Sequence, residues 1–124
     1  MNPKVKMGLR VLLGLFLLLF GINKFAGFIE FPPIPGDGGE LMRIYATSGF
    51  LKIIGVLEII GGFALLAGKF VPLVLTFSVA IMFNAAVFHL LHAPEGVGGA
   101  IVGLILSLVL VYANKERFSS LLSA

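Results

Sequence analysis

Residues 8–29 form an apolar stretch in which VLLGLFLLLFGI carries no charge, until Asn23 and Lys24 break in just before the pattern ends at Ile29. Three more apolar stretches follow, at roughly 48–67, 71–91 and 98–114. Each is close to the ~20 residues that an α-helix needs to cross a bilayer. The first connection, EFPPIPGDGGELMRIYATSG, excludes a continuous helix through Pro32, Pro33 and Pro35, because proline lacks the N–H and clashes with the preceding turn. Within it, Leu41 to Thr47 forms either a short interfacial helix or an extension of the second span. The second connection is a tight turn at Gly68-Lys69, with Gly68 as helix stop and Pro72 at the next helix start. The third, HAPEGVGG, is short, and short connections make successive helices antiparallel neighbours. The pattern predicts an all-α chain: one integral membrane domain over 1–124, folded as an antiparallel four-helix bundle.

Composition strengthens that expectation. The chain is 59% hydrophobic and 12% charged, whereas soluble chains carry about 25% charged residues. There are no cysteines, which excludes disulfide exchange, thiolate nucleophiles, iron–sulfur ligation and thiolate zinc sites. The net charge of +3 is spread without a basic run, so no nucleic-acid footprint is expected. Its distribution sets orientation instead. Lys4, Lys6, Arg10, Lys69, Lys115 and Arg117 fall on one side of the spans, and only Arg43 and Lys52 on the other. By the positive-inside rule both termini are expected to be cytoplasmic. The opening MNPKVKMGLR before an apolar run resembles a signal peptide, but no small-x-small cleavage pattern follows, because Lys24 stands where the first small residue before Ala26 belongs. An uncleaved first span is expected.

Small residues mark where helices can approach. Lipid does not drive helices together, so close contact relies on Gly, Ala and Ser. Gly14 and Gly21 lie two turns apart on the first span; Gly55, Gly61, Gly62 and Ala64 lie on the second. On the fourth, Gly99, Gly103 and Ser107 share one face, which serves another helix of the same chain or a second protomer in a homo-oligomer.

The polar residues inside the spans are uneven. At a rise of ~1.5 Å per residue, Asn23, Lys24, Glu58, Asn84, His89 and His92 all fall in the half away from the termini. Glu58 sits one turn from Gly55, Gly61 and Gly62, on the face best able to meet a neighbour. A buried carboxylate wants a cation or a proton, and Lys24 is the cation nearest in depth. Lys24 is therefore expected to point into the bundle, toward Glu58. That pair either fixes helix register or lines a polar pocket for a small or amphipathic ligand, since intramembrane ionisable groups so often mark function. Snorkelling of Lys24 to the headgroups is a further option. Asn84 serves as interhelical glue or as a ligand contact. His89-Leu-Leu-His92 with Glu95 has metal-like spacing, but Pro94 interrupts the helix; no metal and no haem is expected. There is no phosphate-binding loop, no Ser-His-Asp arrangement and no evident nucleophile.

GINKF at 21–25, then Glu58-x-x-Gly61-Gly62 and a Leu-Leu-x-Gly ending at Gly68, resembles the DoxX/DoxD-like family of small integral membrane proteins. Arg10 and Gly14 fit the usual opening of that family, and the likeness extends over span number and order. The resemblance implies a four-helix membrane bundle and a role beside soluble redox enzymes, as in quinone-linked thiosulfate oxidation and a membrane-bound oxidant-resistance complex. More distant relatives resemble membrane chaperones or cargo receptors. By motif position, Lys24 and Glu58 are the residues that carry over.

The resulting expectation is a bacterial inner-membrane subunit that binds a quinone or similar lipophilic ligand and works with a soluble redox partner. Asn23, Lys24, Glu58 and Asn84 would line the pocket, and His89 or His92, which change charge near neutral pH, would handle protons. Two alternatives stand beside it: a non-enzymatic scaffold or chaperone with a structural Lys24–Glu58 pair, and a transporter for a small solute. The nearly unbroken apolar character of the other half opposes a continuous transport path.

Overall fold

A computed structural model describes all 124 residues. It is all-helical: α1 (Pro3–Ala26), α2 (Gly36–Thr47), α3 (Phe50–Ala67), α4 (Val71–His92), α5 (Val97–Ala113) and a last turn, α6 (Ser119–Leu122). Short 3₁₀ turns at Pro94–Gly96 and Lys115–Phe118 join α4 to α5 and α5 to α6. Four segments are long and apolar enough to cross a membrane: Pro3–Ala26, Phe50–Ala67, Val71–His92 and Pro94–Ala113. They sit close to the four stretches read from the sequence. The first starts earlier, because Asn2 caps the Lys4 amide and Pro3 fits the first helical turn. It ends at Ala26, where Gly27 turns left-handed.

The long connection is more ordered than proline content alone suggests. Its helix begins right after Pro35 and takes in Gly36-Asp37-Gly38-Gly39, so it is five residues longer than the Leu41–Thr47 segment expected. α2 is a separate helix and not an extension of α3. Gly49, at φ 86°, turns the chain between them, a conformation that a side chain would strain. On its exposed face Arg43 donates two hydrogen bonds to Glu40, at 2.6 and 3.0 Å. These bonds, and then the Arg43 charge itself, hold the Glu40 carboxyl below the usual carboxylate range.

The four long helices are antiparallel neighbours in the cyclic order α1-α3-α4-α5. α1 packs most extensively on α3, and α4 on α5. In the first pair Gly14 faces Gly62 and Gly21 faces Gly55, so the helices run in opposite directions along a glycine seam. A Cβ on Gly62 would lie 2.7 Å from the Gly14 carbonyl oxygen, and one on Gly21 would lie 2.9 Å from that of Gly55. In the second pair Ser78 and Ser107 share a 2.8 Å hydrogen bond, fully buried. Ser107 also donates to the Gly103 carbonyl of its own helix. Gly103 packs against Met82 of α4 and Phe16 of α1, so two members of the Gly99/Gly103/Ser107 face are used inside the chain. Leu13, Leu17, Leu65, Leu75 and Leu110 form the heart of the core.

The outward faces are apolar. Ile53, Ile60, Phe63, Leu73, Phe83 and Leu90 are all more than half exposed, and only 23 of 124 residues are buried. Large contiguous apolar surface marks membrane or protein contact, and a belt around four long apolar helices is compatible with a membrane helical bundle. Both termini and the α3–α4 turn lie at one end of the bundle. The proline-rich connection, α2 and the α4–α5 turn lie at the other.

Candidate functional site

The close approach at Gly21 and Gly55 sets the depth at which α1 and α3 present their polar residues to each other. Lys24 is one turn past Gly21, and Glu58 is one turn past Gly55 on a helix running the opposite way. With the backbones this near, Lys24 Nζ comes to 2.5 Å from Glu58 Oε1. The contact is a close charge pair, and Lys24 is the one cation that reaches the carboxylate. The Glu58 side chain is only 2% exposed, while that of Lys24 is 22% exposed. The lysine thus bridges from an enclosed carboxylate toward the bundle surface. Its ammonium also lies 3.5 Å from the Phe20 carbonyl oxygen, in the last turn of α1, where the helix dipole favours a positive charge.

The other polar residues expected at this site have different neighbours. Asn23 is buried and ties off the chain after α1: its amide nitrogen donates to the Ile29 carbonyl, and its oxygen accepts from the Ile29 N–H at 2.7 Å. Both ends of the side chain are used on local backbone. Asn84 is exposed on α4 and donates at 2.8 Å to the Ala80 carbonyl of its own helix. His89 and His92 stand at the end of α4 and flank a cavity of about 410 Å³ formed with the proline-rich connection. Phe31, Pro33 and Pro35 supply its apolar wall, and Glu95 lies on its rim. Lys24, Glu58 and Asn84 do not line this cavity.

The expected polar cluster therefore resolves into a paired seam and a separate histidine cavity. In the cavity, His89 Nδ1 lies 3.3 Å from the Ala93 carbonyl oxygen, and the Phe88 ring stands edge-on to His89. His92 packs on Gly38, where a side chain on α2 would collide with it. The glycine-rich start of α2 thus lets the connection close over the imidazoles. Sequence reasoning found the histidines but not the prolines opposite, whose approach depends on the whole course of the connection. It also missed Ser78. Its signal was a lone hydroxyl in the apolar run VLTFSVAIMF, facing a face already marked by Gly103 and Ser107.

Comparison with protein-family models, curated proteins and solved structures gives no match.

Proposed function

We propose that this chain is a multi-pass membrane protein that receives the polar head of a lipophilic ligand, a quinone or a molecule of like shape, in the cavity beside His89 and His92. The cavity carries the proposal. Its ~410 Å³ lies within the 300–1,000 Å³ typical of small-molecule sites. Its wall is apolar proline and phenylalanine, and its polar groups are few and placed together. Two imidazoles can donate to or accept from a carbonyl-bearing ring, and either can pass a proton. The termini end faces the cytoplasm in this proposal, so the cavity opens toward the outer side of a bacterial inner membrane. The DoxX/DoxD resemblance at 21–25 and 58–68 adds support for a soluble redox partner.

The test is mass spectrometry of lipids and quinones that stay with the protein in mild detergent. A stoichiometric quinone is expected in the parent chain and in Glu58→Gln, and its loss is expected in His89→Leu/His92→Leu. No retained ligand in the parent, or equal retention in the histidine variant, would remove the cavity from consideration.

A specific observation favours a second reading, the scaffold or chaperone. Lys24 and Glu58 satisfy each other inside a glycine seam, which leaves them little to offer a ligand. In that case the pair holds register and the cavity is a docking hollow for another chain.

A further inference from the structure

The termini end of the bundle holds a second cavity, of about 300 Å³, and it differs from the first in charge. Lys6 and Arg10 of α1 and Arg117 of the 3₁₀ turn after α5 line it, with Asn114 and Gly68. No carboxylate lies among its lining residues, and none of the three cations makes a salt bridge. Arg10 Nε is buried and has no hydrogen-bond partner. A buried guanidinium N–H without a partner is costly, and three like charges around one hollow repel each other. The fold nevertheless makes room for Arg10: a Cβ on Gly68 would collide with Arg10 Nη1, and Gly68 is also at φ 70°. Glycine here both ends α3 and admits the guanidinium.

The surroundings place this cavity at a particular level. Tyr112 is 68% exposed on the last turn of α5, with Lys115 Nζ 4.8 Å from its ring centroid. Tyrosine and lysine in that position mark a membrane–water interface. Met7 and Phe70, both at least half exposed, present apolar surface at the same end. The hollow thus sits where headgroups give way to acyl chains.

We propose that Lys6, Arg10 and Arg117 bind the phosphate of an acidic phospholipid headgroup at this end of the bundle. A phosphate oxygen supplies the acceptor that Arg10 Nε lacks, and its charge offsets the three cations. The acyl chains run down past the exposed apolar residues beside the cavity. Basic pockets between helices at the cytoplasmic face recognise anionic lipids on this principle.

The experiment is native mass spectrometry of the full chain, released from mixed micelles containing equal phosphatidylglycerol and phosphatidylcholine. One phosphatidylglycerol per chain is expected to survive activation in preference to phosphatidylcholine. Lys6→Gln/Arg117→Gln removes two cations from the rim without touching the core, and it is expected to weaken phosphatidylglycerol retention roughly thirty-fold, from the usual contribution per basic residue. Arg10→Lys keeps the charge but loses the fixed fork, so it is expected to fall between the two. Equal retention of both lipids, or unchanged retention in the double variant, would overturn the proposal. Inorganic phosphate is the third arm. Protection against thermal unfolding by millimolar phosphate, equal to that given by phosphatidylglycerol, would make the occupant a free phosphate and overturn the lipid assignment.

Discussion

At the scale of single residues, the ion pair between α1 and α3 dominates. Glu58 has one charged neighbour, the Lys24 ammonium. Removing Lys24 strands an enclosed carboxylate, so Lys24→Met is expected to destabilise by roughly 3 kcal/mol, the low end for breaking a buried pair because the lysine is partly exposed. Lys24→Met/Glu58→Leu is expected to recover most of that loss. Reversible unfolding in a detergent–denaturant titration measures both variants against the parent, and a double variant less stable than Lys24→Met would mean the pair does more than neutralise itself. Asn84 makes the contrasting case. It is exposed and already bonded to its own helix, so Asn84→Leu is expected to change stability by no more than about 0.5 kcal/mol in the same titration. The Lys24–Glu58 meeting was legible in the sequence because depth and a small-residue face are both one-dimensional quantities. The employment of Asn23 on Ile29 was not, since it depends on how the chain leaves the helix.

Between elements, the glycine seam sets what can change. Gly62→Val would place a branched side chain where even a Cβ comes 2.7 Å from the Gly14 carbonyl and from Leu18. Overpacking of this kind costs about 1–3 kcal/mol, and here it also pushes α1 and α3 apart. A fall in thermal stability, with weaker crosslinking between residues placed across the seam, is the expected pair of results. The helices themselves were readable because ~20-residue apolar runs leave few options. α2 was only half readable. Its opening GDGG has poor helix propensity, and what holds it is packing against α3 and against the end of α4, where Gly38 meets His92. A long-range contact of that sort leaves no periodic trace in the sequence.

For the whole molecule, the uneven charge of the two ends predicts an orientation that can be tested. Of the six acidic residues, only Glu116 lies at the termini end, while Lys4, Lys6, Arg10, Lys69, Lys115 and Arg117 gather there. The chain has no cysteine of its own, which makes it a clean background for labelling. In intact cells, a membrane-impermeant maleimide is expected to label Asp37→Cys and to leave Ser120→Cys untouched until the membrane is opened. The reverse pattern would turn the molecule over, and with it the side on which the histidine cavity opens. The α3–α4 and α4–α5 neighbours were legible from their short connections, whereas the α1–α3 pairing across the long first connection was signalled only by Lys24, Glu58 and the glycine faces. The two cavities were not, because each is assembled from three or more segments distant in the chain.

The seam between α1 and α3 also has a consequence for how the protein is made. Lys24 and Glu58 belong to helices separated by the whole first connection. At a synthesis rate of roughly 5–20 residues per second, α1 leaves the ribosome a few seconds before its counter-ion exists. During that interval the lysine has only water, headgroups or the insertion machinery to satisfy it. The seam therefore predicts a waiting step in biogenesis, in which the first helix is held near the interface until α3 arrives and closes the glycine faces together.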